Sequence, residues 1–174
     1  MMIKFIRFNT YLWLAAGALL LATGCKTGDK DKKHPLSTLE LHAEVGRDNG
    51  GDNEMVPVLR EHPVYVNVAK ETFLDAADIV EANVVDDLGG FKIRLKFNWR
   101  GTQLLESYST AYRGRHIAVF AVWGPARWIA APVVQKPIAD GVLTFTPDCT
   151  REEADRLVKG LNNVADDIKK EEKF

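Results

Sequence analysis

The sequence predicts an α+β domain, and three features carry that prediction. Ile117-Ala118-Val119-Phe120-Ala121-Val122-Trp123 and Trp128-Ile129-Ala130-Ala131-Pro132-Val133-Val134 are apolar runs on either side of Gly124-Pro125, the pattern of a central hairpin covered on both faces. Phe91, Ile93, Leu95 and Phe97 alternate with Lys92, Arg94, Lys96 and Asn98, placing four large apolar side chains on one side of a strand and a basic row on the other. Leu104, Leu105, Tyr108, Ala111 and Tyr112 recur at helical spacing, as do Ala154, Leu157, Val158, Leu161, Val164, Ala165 and Ile168, so helices are expected over 102–113 and 150–168. The sum is an antiparallel or mixed sheet with two amphipathic helices packed on one face, ferredoxin-like in arrangement.

At the N-terminus, Lys4 and Arg7 precede an apolar run over 11–21 that is too short to cross a bilayer comfortably, and Ala22-Thr23-Gly24-Cys25 follows. This end resembles the lipobox of bacterial lipoproteins. The resemblance implies removal of residues 1–24 as a signal peptide, with lipidation of Cys25 by a diacylglycerol thioether and an amide-linked acyl chain such as palmitate. Two or more chains anchor stably, since each buried methylene contributes about 0.8 kcal/mol. Residues 25–37 then form the lipidated cysteine and a polar tether reaching on the order of 20 Å. An extracytoplasmic location follows, on the cell membrane or the outer membrane.

Leu39, Leu41, Ala43 and Val45 alternate with polar residues and predict a first strand. The stretch 46–54 is rich in glycine and acids but lacks the EF-hand spacing, so it is read as a flexible loop and no metal site is expected. Val64 to Val68 is a second strand; 72–79 is ambiguous between strand and one helical turn; 80–85 is a third strand, and Leu88-Gly89-Gly90 turns into the alternating run. The basic row there is read as a wet sheet face whose charge resists aggregation. Pro132 donates no N–H, so the return strand of the central hairpin lies at an edge or is bulged. Asp140-Gly141 introduces a last strand over 142–146, and Thr150-Arg151-Glu152-Glu153 reads as a capping box. Gly160 inside the second helix marks a close approach. From Asp166 the helix is charge-rich and expected to fray. Residues 38–170 form the single domain and 171–174 a frayed tail.

Function classes are narrowed by composition. Taking Lys4 and Arg7 from the 23 Lys+Arg leaves 21 against 24 Asp+Glu, a net charge of about −3, which does not suit a nucleic-acid binder. Of the 2 cysteines, Cys25 is assigned to lipid, so Cys149 has no disulfide partner in the chain and is read as structural. There is no GxSxG, P-loop, HExxH or CxxC, the four histidines lie far apart in sequence, and neither an enzyme, a cofactor nor a small-molecule substrate is expected.

A helix ending Thr110-Ala111-Tyr112-Arg113-Gly114-Arg115 comes before the apolar strand. Ala131-Pro132, Pro137-Ile138-Ala139-Asp140-Gly141 and Thr150-Arg151-Glu152-Glu153-Ala154 follow it. In this order the segments resemble the head subdomain of the first periplasmic domain of SecD/SecDF, over about 78–164. The resemblance implies a non-catalytic protein-binding module for exported polypeptides or envelope proteins. The alternative is a structural envelope lipoprotein that pairs with one membrane partner or with itself. Where that family usually carries aspartate and glycine at the hairpin tip, this chain has Trp123-Gly124-Pro125, and Phe145 stands where a glycine is common. The family's membrane helices are not in this chain, so proton coupling is not carried over. Trp123, Arg127 and Trp128 crowd one turn, a combination enriched at binding hot spots, and they are the candidate partner-binding residues; the competing reading is that both tryptophans cap the core.

Overall fold

A computed structural model of the chain describes residues 34–46 and 51–172. The predicted signal peptide, Cys25, most of the tether and the middle of the glycine-rich loop lie outside the described residues. Eight strands and two long helices follow in the order β1 (Thr38–Glu44), β2 (Asn53–Val58), β3 (Val64–Asp75), β4 (Ile79–Asp87), β5 (Gly90–Phe97), α1 (Trp99–Ala111), β6 (Ile117–Val122), β7 (Ala126–Ala130), β8 (Val142–Phe145) and α2 (Arg151–Glu171). The α+β class therefore holds. The single sheet expected from periodicity is two sheets, both antiparallel: five strands in the order β2-β3-β1-β6-β7 and three in the order β4-β5-β8.

Alternation explains how the two sheets share one core. Leu39, Leu41, Ile117, Val119, Ala121 and Ile129 from the larger sheet meet Ile93, Leu95, Phe97, Leu143 and Phe145 from the smaller one, and Leu105, Leu157 and Leu161 of the helices complete the cluster. The opposite side of the larger sheet has its own small core of Val56, Val58, Val66, Val68 and Ala118, with Trp128 packed against it. That second core exists because the sheet curls. β2 and β7 stand at opposite ends of the strand order, yet they approach within 8 Å between Cα atoms without pairing.

Local chemistry sets the element boundaries. The ambiguous stretch resolves as strand to Asp75 and then a 3-10 turn, Ala76–Asp78, where the Asp75 carboxylate accepts from the Ala77 N–H at 2.7 Å. Asn98, the last member of the alternating polar row, caps α1 by accepting from the Gly101 N–H at 2.7 Å, so that helix starts three residues earlier than its apolar spacing indicates. The Thr150 capping box forms as expected: the Glu153 N–H donates to Thr150 Oγ1 and the Thr150 N–H to Glu153 Oε2. Past Asp166, α2 does not fray but continues to Glu171. Lys169 and Lys170 pair with Asp166 and Asp167 at i,i+3 and complement the negative end of the helix dipole.

Helix α2 is fixed to the smaller sheet by a side chain that imitates a strand. Asn162 Oδ1 accepts from the Ala82 N–H at 2.8 Å while its Nδ2 donates to the Ala82 carbonyl at 2.9 Å. On its other flank the helix meets the segment leading into β1, where Asn163 Nδ2 donates to the Pro35 carbonyl at 2.8 Å. A Cβ at Gly160 would fall 2.7 Å from both the Cβ and the backbone nitrogen of Ser37, and closer still to its Oγ, so the predicted close approach is to the chain entering β1. Among the described residues no helix is long and apolar enough to cross a membrane.

Candidate functional site

Three prolines shape the surface around β8. Pro132 interrupts the regular ladder after β7, leaving only an isolated bridge between Val133 and His116, Pro137 keeps 135–140 irregular, and Pro147 stops β8. The chain between β7 and β8 thus has no strand to offer, and β8, the last strand of its sheet, keeps one edge without a neighbouring strand. A groove of about 1210 Å3 opens there, walled by Leu59 of the β2–β3 turn and Val64 at the start of β3, by Val133, and by Thr144, Phe145 and Pro147. It exceeds the roughly 300–1,000 Å3 common for small-molecule pockets and is suited to a length of extended chain. Leu59, Val64 and Val133 are exposed apolar side chains at its margin.

At one end the groove is bounded by a charged cluster. Asp148 donates its N–H to the Ile129 carbonyl at 2.7 Å, and its carboxylate accepts from the Arg60 N–H at 2.8 Å and from the Arg60 guanidinium at 3.2–3.4 Å. Arg127 Nη2 stands 3.3 Å from Glu153 Oε2. The Thr150 N–H, aided by Arg127 and Arg60 and opposed by burial, holds the Glu153 carboxyl below the usual glutamate range. Cys149 lies between these acids. Burial, reinforced by the Glu153 charge, pushes its thiol up to about 11, so the helix dipole does not activate it and it stays protonated at neutral pH.

The three residues at the hairpin are divided by the sheet. Phe120 lies opposite Trp128 and Ala121 opposite Arg127, and residues paired across an antiparallel ladder point the same way. Trp128 therefore faces the curled side, 5.2 Å between ring centroids from Phe120 and 5.0 Å from the His42 ring in an edge-on contact. Arg127 and Trp123 face α2, the guanidinium 5.1 Å from the indole centroid. Trp123 Nε1 is buried without a hydrogen-bond partner, a donor whose desolvation is uncompensated.

A second concentration of titratable groups sits at the other end of β1. Glu44 Oε2 accepts from the His116 N–H at 2.6 Å and lies 2.7 Å from His116 Nδ1, and the Tyr108 hydroxyl accepts from the Glu44 N–H and donates to the His116 carbonyl. Burial works against the Glu44 charge, but the two His116 contacts and the charges of His116 and Arg115 outweigh it, and the carboxyl titrates below its ordinary 4.5. A depressed folded value stabilises the fold above pH 4.5, and that contribution disappears as pH falls through the folded value. Glu44→Gln is therefore expected to lower the urea midpoint at pH 7, with a gap to the parent chain that narrows steadily as pH falls below 4.5. A gap that does not change with pH would assign the cluster a purely steric role. Among the described residues no group of three or more His, Cys, Asp or Glu side chains is arranged to hold a metal ion.

The order of strands, the two helices and the groove are accompanied by a family match. The model of the SecDF P1 head subdomain aligns with residues 53–165. The chain belongs to the SecDF P1 head family. Two solved structures are similar to it in fold. One is of SecDF, described as a membrane component that enhances protein export, at 18% identity and TM-score 0.52; the alignment covers 74% of this chain and 63% of that one. The other is SecDF in a super-membrane-facing form, at 18% identity and TM-score 0.53, covering 74% of this chain and 19% of that one. The chain thus spans less than two thirds of either structure. No curated protein matches it.

For this SecDF head domain, sequence reasoning found the hairpin and missed the groove beside it. The signal was present in Pro132, Pro137 and Pro147, three interruptions flanking a short strand within sixteen residues. Taken singly, Pro132 marks an edge or a bulge and Pro137 belongs to a turn motif; the joint consequence of the three, an open strand edge, depends on the strand order. Arg60 and Asp148 are 88 residues apart, and no periodicity links them.

Proposed function

We propose that the protein is a membrane-tethered extracytoplasmic lipoprotein whose head domain binds extended segments of exported polypeptides without catalysing a reaction. The observation that carries this reading is the groove beside the open edge of β8. An extended chain carries unpaired N–H and C=O groups, and a strand edge bordered by apolar side chains satisfies both its backbone and its alternate residues. Family membership supports a role connected with protein export, and the lipobox-like leader supports tethering through Cys25. Trp123 and Arg127 extend the binding surface past Asp148, and Trp128 supports it from the curled side of the sheet.

Photoreactive residues placed at Val133 and Thr144 of the full chain, in the envelope of a living cell, test this reading. The expected result is a ladder of adducts with many exported polypeptides, reduced severalfold by Arg127→Ala. Cys25→Ser should abolish incorporation of labelled palmitate and release the protein from the membrane. A single stoichiometric adduct would favour instead a structural lipoprotein with one membrane partner or a second copy of itself. The outward apolar side chains of Met55 and Tyr65, on β2 and β3, would suit that role.

A further inference from the structure

We infer that the Arg60–Asp148 pair is a clasp that closes the seam between β2 and β7 and thereby controls entry of a polypeptide into the groove. This inference rests on the polypeptide-binding reading for its purpose, but its geometry stands apart from that reading. The five-stranded sheet curls until its two end strands lie side by side, yet β2 and β7 are not ladder neighbours. Every other neighbouring pair in that sheet is held by a backbone ladder. Across this seam, Asp148, itself bonded to the Ile129 carbonyl of β7, takes both the backbone N–H and the guanidinium of Arg60 just beyond the end of β2.

The same turn stores strain. Leu59 has φ 72°, the sole non-glycine residue with positive φ among the described residues, in a region that costs a side chain bearing a Cβ. Its neighbour Arg60 is held by the clasp, so release of Arg60 lets Leu59 relax toward an ordinary conformation. Leu59 also lines the groove, so the strained residue, the ion pair and the proposed binding surface are continuous. The Arg60 side chain is 56% exposed and that of Asp148 19%, which leaves the pair open to screening by salt and keeps it weak enough to open reversibly.

Amide hydrogen exchange on the full chain tests the clasp without any client. Arg60→Ala and Asp148→Asn should each raise exchange in 56–66 and 126–131 by about two- to fivefold, the range of an interaction of this kind. Exchange in β4, β5 and α2 should stay unchanged, which separates opening of the seam from loss of the fold. In the parent chain 0.5 M sodium chloride should produce the same local rise, and in the two variants it should add nothing. Leu59→Gly, which removes the conformational penalty, should act in the opposite direction and slow exchange. Unchanged exchange in the variants, or a rise spread over the whole domain, overturns the clasp. If exchange rises locally, crosslinking at Val133 should rise with it. Local opening with adducts that do not increase overturns control of entry, whereas absence of adducts in the parent chain as well overturns the polypeptide-binding reading, and exchange alone then decides whether the clasp exists.

Discussion

Replacing Leu157 with alanine is expected to lower the unfolding free energy by about 2–5 kcal/mol, read as a shift of the denaturant midpoint at constant m-value. Leu157 is fully buried in the core shared by both sheets and both helices. Truncation there loses transfer energy and leaves a cavity that rigid strands on both sides cannot refill. The neighbouring Val158 is only half-buried, so Val158→Ala should shift the midpoint by much less. Equal shifts for the two variants would mean that α2 does not dock through the Leu157 face.

Gly160→Ala should also destabilise, by about 1–3 kcal/mol, although alanine is the better helix former by about 1 kcal/mol. The new methyl group would meet Ser37, and the contact at 2.7 Å includes the Ser37 backbone nitrogen, which cannot rotate away as a side chain can. Relief requires α2 to lift from the segment entering β1, which would disturb the bond from Asn163 to the Pro35 carbonyl. Ser37→Gly combined with Gly160→Ala removes the side-chain part of the clash and should recover some of the loss. A stabilised single variant would show that the helix stands farther from β1 than described.

These two residues illustrate what could be read from the sequence. Leu157 belongs to a 3.6-residue period, and Gly160 interrupts it, so the buried face of α2 and its close approach were both legible. What Gly160 approaches was not, because periodicity identifies the apolar side of an element and not its neighbour. The same limit hid the division into two sheets. The loop expected over 46–54 takes in the first two residues of β2, and the rest of that strand has no signal of its own, because Met55-Val56-Pro57-Val58 offers only two inward residues around a proline; its identity depends on pairing with β3. At the hairpin, adjacency in sequence suggested one surface for Trp123, Arg127 and Trp128. The ladder joins Val122 to Ala126 across three connecting residues, and that register sends Trp128 to one face and Arg127 to the other.

The reciprocal bonds between Asn162 and Ala82 have a consequence for assembly. β4 and β8 are the two ends of the smaller sheet, and an unguarded sheet can recruit strands at both ends. The asparagine amide occupies the donor and acceptor of Ala82 from the helix side, and Lys169 Nζ reaches the Val80 carbonyl at 3.5 Å. Growth from β4 is thereby blocked by the domain's own helix, while β8 has no neighbouring strand on its outer side. Two copies that met through β8 would present only their guarded β4 edges at the far ends, so pairing between copies would close at two. This polarity would let a protein offer a sticky edge to unfolded chains in a crowded envelope without polymerising through the same edge itself.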